Sequence, residues 1–310
     1  MATPPPSLAH LDGLTLTDSG IETDVIFGTG RDLPSFAVFP LLEDDEGRAI
    51  LDRYYREHVA VAEEHGLGYV FETPSWRSNR DWGTALGYSQ AQLDDLDRAG
   101  VAFLEALRAE STARGVRISG LLGPRGDGYV VDLVMSHDEA RDYHGHQIVV
   151  LAEAGCDLVS ACTLTYPDEG LGIALAARDA GVPVVLYFTL ETDGLLPDGS
   201  RLGDAITRID AAIDGYVAYY GVNCAHPDHM LPAFVDGGAW VDRIGAIRAN
   251  ASRMSHAELD EAAELDAGDP SELAEDYRRL RAALPNPRVF GGCCGTDVRH
   301  VRAIASVLRS

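Results

Sequence analysis

Short apolar runs alternate with amphipathic stretches along almost the whole chain, and that rhythm narrows the fold more than any other feature. Eight runs, at 14–22, 67–73, 116–123, 156–163, 182–189, 215–224, 240–249 and 289–294, read as buried strands. The stretch 47–65 places Ile50, Leu51, Tyr54 and Val59 at helical spacing, and helices are likewise predicted over 89–114, 136–154, 167–180, 204–213, 271–284 and 297–308. Gly66, Gly115, Gly155 and Gly181 fall where a helix C′ residue is expected. Strands that alternate with helices build a parallel sheet. Eight such signals in 310 residues predict an α/β fold, a single-domain (β/α)8 TIM barrel over 11–310 after a flexible tail at 1–10. An open doubly wound sheet is the alternative, but no Gly-x-Gly-x-x-Gly follows the first strand. Segments 31–45 and 251–270 exceed minimal barrel connections. Both follow strands, which puts them on the active-site face.

The net charge of −24 argues against nucleic acid and against anionic membrane surfaces, both of which would repel the chain. It suits a solvated acidic surface and is compatible with a cationic small molecule. The start of the chain has no basic or apolar signal region, and no apolar run reaches the roughly 18 residues of a membrane span. Five cysteines in a chain this long do not form a secreted disulfide framework. A reducing cytoplasm is expected, with the protein a monomer or homodimer.

Three of those cysteines stand in unusual settings. Cys224 closes Gly221-Val222-Asn223-Cys224, and Cys293 and Cys294 sit within Gly291-Gly292-Cys293-Cys294-Gly295-Thr296. In a barrel, the ends of the sixth and eighth strands share one face, so a long sequence separation becomes a short distance. Three thiolates there suit Zn²⁺ with its fourth position open to a substrate. A vicinal Cys293–Cys294 disulfide is the strained alternative, while Cys156 and Cys162 read as space-filling thiols. An ion with three thiolates is a weak activator of water but a good holder of a fourth thiolate. Activation of a thiol acceptor is therefore expected, rather than hydrolysis.

These motifs, with Asp18-Ser19-Gly20 on the first strand, resemble the homocysteine S-methyltransferase family. The resemblance implies a (β/α)8 barrel, Zn²⁺ on Cys224, Cys293 and Cys294, and transfer of a methyl group to a thiol, homocysteine giving methionine. It implies that Asp18 helps hold the homocysteine amino group, within an entry motif that includes Gly20. Family donors include S-methylmethionine, S-adenosylmethionine and betaine. Two departures stand out: Ser19 replaces a glycine, and Cys162 falls near where many members carry a glutamate. A different thiol or selenol acceptor, or a non-catalytic zinc- and thiol-binding barrel, are the alternatives.

Glu22 and Glu72, expected at strand ends, could bind an acceptor amine or face a cationic donor; Asn223 is a further pocket candidate. Trp76, Trp82, Tyr88, Tyr129 and Tyr166 offer aromatic faces for such a donor, set against ordinary packing. Arg125 could hold a carboxylate or pair on the surface with Asp127. Glu191 to Gly194 reads as pocket wall or turn. His144 and His146 point apart on one helix, so His137, His144 and His146 share no ion.

Overall fold

The computed structural model describes residues 13–262 and 264–308; the tail expected at 1–10 lies outside them. Eight parallel strands close into a barrel in chain order: β1 Thr15–Leu16, β2 Gly68–Glu72, β3 Arg114–Leu122, β4 Leu158–Leu164, β5 Val184–Phe188, β6 Tyr219–Asn223, β7 Ile244–Ala249 and β8 Val289–Gly292. Thr15 pairs with Gly68 on one side and with Val289 on the other, which closes the ring. The helices are α1 Ile21–Thr29, α2 Asp45–His65, α3 Arg80–Ala85, α4 Gln90–Glu110, α5 His137–Ala154, α6 Pro167–Ala180, α7 Leu202–Ile213, α8 Pro227–Phe234, α9 His256–Asp260, α10 Pro270–Ala283 and α11 Val298–Leu308. Along β5 the side chains alternate. Val185 and Tyr187 join Leu121, Cys162, Tyr219, Ala246 and Val289 in one cluster. Val184, Leu186 and Phe188 pack into the larger core between strands and helices.

Several boundaries differ from the sequence reading. The first strand stops after two residues, 17–20 are irregular, and α1 begins at Ile21. Beyond the strand, the Ser19 hydroxyl lies 2.8 Å from His58 Nε2 and its amide donates to Tyr54 Oη, which holds the chain toward α2. Ile21 and Val25 are then buried with i, i+4 spacing. Glu22 therefore sits in the first turn of a helix and not at a strand end. The helix α8 was not expected because Pro232 lies inside it and reads as a breaker. Gly115 caps no helix: α4 ends at Glu110, and Gly115 lies within β3. Residues 240–243, expected as the start of a strand, belong to a 3₁₀ turn over Ala239–Arg243 before β7.

The loop after β2 is fastened to α4 and α5 by buried polar groups. Ser78 Oγ donates to Asp97 Oδ1 at 2.5 Å, and Gln147 Nε2 donates to Ser78 Oγ at 2.8 Å. Burial pushes the Asp97 carboxyl up to about 8 from its ordinary 3.8. The folded chain thus binds this proton more tightly than the unfolded chain. Its contribution to stability is full below about pH 4 and is lost as pH rises through about 8. The melting temperature should fall across that window, and Asp97→Asn should flatten the fall. Parallel wild-type and Asp97→Asn melting profiles would remove Asp97 as the cause.

Candidate active site and metal centre

The carboxyl ends of the strands open into a cavity of about 310 Å³, and Cys224, Cys293 and Cys294 all line it. Their sulfurs lie within 4.8 Å of one another. Cys224 and Cys293 stand as a bonded pair with Cα atoms 5.4 Å apart, and Cys294 Sγ is 3.8 Å from Cys224 Sγ. The bonded pair is thus not the vicinal one. Two thiolates about 2.3 Å from a tetrahedral Zn²⁺ are themselves about 3.8 Å apart, so the Cys224–Cys294 spacing fits the ion. Cys293 fits once the pair is reduced, since only thiolates serve as ligands. Burial pushes the Cys294 thiol up to about 11, opposed by the hydroxyl of Tyr129 at 3.5 Å. Without an ion this thiol stays protonated at neutral pH.

Local backbone brings the sulfurs together. Cys224 follows β6 with φ 52°, a left-handed conformation rare for a side chain with a Cβ. Its carbonyl oxygen accepts from Thr189 Oγ1 at 3.2 Å and lies 2.8 Å from His256 Nε2. Gly295, with φ 79°, turns the chain directly after Cys294. Gly20, at the N-cap of α1, has no room for a side chain: a Cβ there would lie 2.5 Å from the Cys293 carbonyl oxygen. Asn223 accepts from the Thr163 amide and donates to Thr163 Oγ1, both at 2.9 Å, which ties β6 to β4 below Cys293.

Asp18, Glu22 and Glu72 all line the cavity, and a residue missed in the sequence joins them. Arg248 on β7 reaches Asp18 Oδ1 at 2.6 Å and Glu72 Oε1 at 3.7 Å, with Cys162 Sγ 3.9 Å away. The only sequence signal was a lone arginine within an apolar strand. Ser160 Oγ also donates to Glu72, at 2.6 Å. Burial raises the carboxyl of Asp18 and pushes that of Glu72 up to about 7, with Arg248 opposing both. Glu22 likewise rises to about 7, chiefly through burial. Among the described residues its side chain forms no ion pair, so of these three carboxylates Glu22 is the one without a cation at contact distance.

Of the aromatic candidates, Trp76 and Tyr129 line the cavity, and Tyr129 stacks on His256 with ring centroids 4.1 Å apart. Trp82, Tyr88 and Tyr166 do not line it. Tyr88 packs edge-on against Phe39, and Tyr166 Oη accepts from the Met135 amide. Arg125 pairs with Asp81 at 2.7 Å, neither with Asp127 nor with the cavity. Glu191 lies 3.2 Å from His256 Nδ1, while Asp193 accepts from the Leu195 amide in a turn. His137, His144 and His146 face Asp168, Glu169 and Asp94 separately. Phe36 from the first long loop, and Leu259 and Leu265 from the second, line the cavity, as the placement of both loops led us to expect.

Comparison with known proteins gives consistent matches. The model of the family described as Homocysteine S-methyltransferase matches residues 46–308. Homocysteine S-methyltransferase 4 of Zea mays is 25% identical over 265 residues, covering 77% of this chain and 75% of that protein. Methionine synthase of Mycobacterium tuberculosis is 27% identical over 239 residues, covering 70% of this chain but 18% of that protein. The crystal structure of the homocysteine methyltransferase MmuM from Escherichia coli, oxidized form, shares the fold with a TM-score of 0.76 at 21% identity over 98% of both chains. Its metallated form matches with a TM-score of 0.74 at 22% identity, also over 98% of both chains. Among the described residues no helix is long and apolar enough to cross a membrane.

Proposed function

This chain belongs to the homocysteine S-methyltransferase family, and on that premise we propose that it is a zinc-dependent enzyme transferring a methyl group from a sulfonium or quaternary-ammonium donor to a thiol, homocysteine first. The observation that carries this reading is the convergence of three cysteine sulfurs on one cavity. Cys224, Cys293 and Cys294 would hold the ion, which supplies acidification of the acceptor thiol so that it enters as a thiolate. Glu22 faces the cationic part of a ligand, and the rings of Trp76 and Tyr129 present apolar, electron-rich faces to it. Such a donor loses its charge as the methyl leaves, so a cavity that excludes water favours the transfer. Asp18 and Glu72 offer carboxylate oxygens to an acceptor ammonium, while Gly20 and Asn223 shape the wall around the sulfurs.

One observation favours a second acceptor class, a thiol or selenol without an α-ammonium group. Arg248 already engages Asp18 and Glu72, and Cys162 stands beside them. The test is zinc content of reduced protein together with methyl transfer from S-methylmethionine, S-adenosylmethionine and betaine to homocysteine and to a thiol and selenol panel. Stoichiometric zinc with turnover on homocysteine is expected. Turnover only on the panel selects the second acceptor class. Reduced protein that takes up no zinc, or zinc protein that methylates nothing, overturns the reading.

A further inference from the structure

Among the described residues Arg77 is a buried cation with no carboxylate at ion-pair distance, although Asp127 and Glu22 attract it from farther away. It lies in the loop after β2, lines the cavity and is 4% exposed. Its guanidinium carbon stands 3.9 Å from the ring centroid of Trp76 and 4.0 Å from that of Trp82. Nη1 donates to the Gly126 carbonyl oxygen at 3.1 Å. Nε is buried with no hydrogen-bond partner. Arg125 and Arg248, by contrast, each have a carboxylate at 2.7 Å or less. Among the described residues Arg77 has none.

Two indoles offset part of the cost of burying a guanidinium. They do not replace an anion, because a buried ion is costly unless it is both paired and hydrogen-bonded. With Nη1 committed to Gly126 and Nε fully enclosed, Nη2 is the donor that a carboxylate oxygen can reach. Burial pushes the guanidinium down to about 10, which leaves it charged at neutral pH.

We propose that Arg77 anchors the carboxylate of an amino-acid-type substrate, receiving it through Nη2 while Trp76 and Trp82 hold the guanidinium plane. The identity of that substrate rests on the methyl-transfer reading of the same cavity. Homocysteine and S-methylmethionine both carry such a carboxylate, so it could belong to acceptor or donor.

The test compares each ligand with its decarboxylated counterpart on reduced, zinc-loaded protein, with no second substrate present. The acceptor pair is homocysteine and 3-aminopropane-1-thiol. The donor pair is S-methylmethionine and (3-aminopropyl)dimethylsulfonium. Indole fluorescence reports binding, since two of the chain's three tryptophans flank the guanidinium. In the native chain the carboxylated member of at least one pair should bind about 10- to 100-fold tighter. Arg77→Met should equalise that pair, and Arg77→Lys should restore only part of the preference. A response of the acceptor pair alone assigns the carboxylate to the acceptor; a response of the donor pair alone assigns it to the donor. Equal binding within both pairs in the native chain overturns the anchor, as does a preference that survives Arg77→Met. The native comparison decides even where Arg77→Met fails to fold. Turnover measured in parallel separates the two readings: carboxylate preference without any methyl transfer defeats the proposed function and spares the anchor, and transfer without preference does the reverse.

Discussion

Cys294→Ala is expected to empty the protein of zinc and to abolish methyl transfer while leaving the barrel folded. Cys294 follows β8, and its side chain belongs to neither the large core nor the cluster inside the barrel. Its carbonyl oxygen accepts from the Ala251 amide, a bond that alanine keeps. What the substitution removes is one of three sulfurs, leaving two where a catalytic site needs three protein ligands. The loss should exceed the roughly 10- to 100-fold drop in affinity or activity seen when only an outer-shell partner is removed. Tyr129→Phe, which deletes the hydroxyl 3.5 Å from Cys294 Sγ, should fall within that smaller range. Zinc content by elemental analysis, activity and circular dichroism decide the matter. Full zinc occupancy in Cys294→Ala would sink the assignment, and unfolding of the native chain on chelation would make the centre structural. The measurement requires reduced protein, because the Cys224–Cys293 bonded pair has no thiolate to offer a metal.

Arg248→Met is expected to lower the unfolding free energy by about 3–5 kcal/mol at neutral pH, the usual cost of removing one partner from a buried ion pair. Methionine is close in length and leaves no large void, so the loss isolates charge. Asp18 and Glu72 would remain in the barrel mouth without their cation. Their carboxyls, already raised by burial, would rise further. A carboxyl whose folded value exceeds its unfolded value contributes stability at low pH and loses it as pH rises. The deficit of the variant should therefore be smallest under acid conditions and largest above about pH 7, where Glu72 ionises. Denaturant titrations at both ends of that range test the sign. The double variant Arg248→Met with Asp18→Asn should recover part of the loss, because the two side chains are in direct contact. A double variant as unstable as the sum of the two single ones would show that the pair is not coupled.

The fold was largely legible because its signals are local. Period-2 and period-3.6 patterns depend on neighbouring residues, and β5 and α6 keep the pattern that each stretch shows alone. Legibility failed where local pattern and local bonding disagree. The stretch 14–22 is apolar enough for a strand, yet Ser19 is drawn to Tyr54 and His58, some 35 to 39 positions away, and the chain breaks into α1. Glu22 moved with it, from a strand end to a helix turn.

The sequence by itself determined that three cysteines, two of them a glycine-flanked pair, sit at the ends of two strands, and that strands in this alternation place those ends on one face. Tertiary structure alone decided the charge state of the cavity. Asp18 and Arg248 are 230 positions apart and meet only when β7, β8 and β1 lie side by side in the closed barrel. Their pairing commits one carboxylate and weakens the claim of Glu72, while among the described residues Glu22 and Arg77 form no ion pair. Whether a charged side chain is paired depends on what lies within a few ångströms of it after burial, where water no longer compensates. No spacing along the chain encodes that.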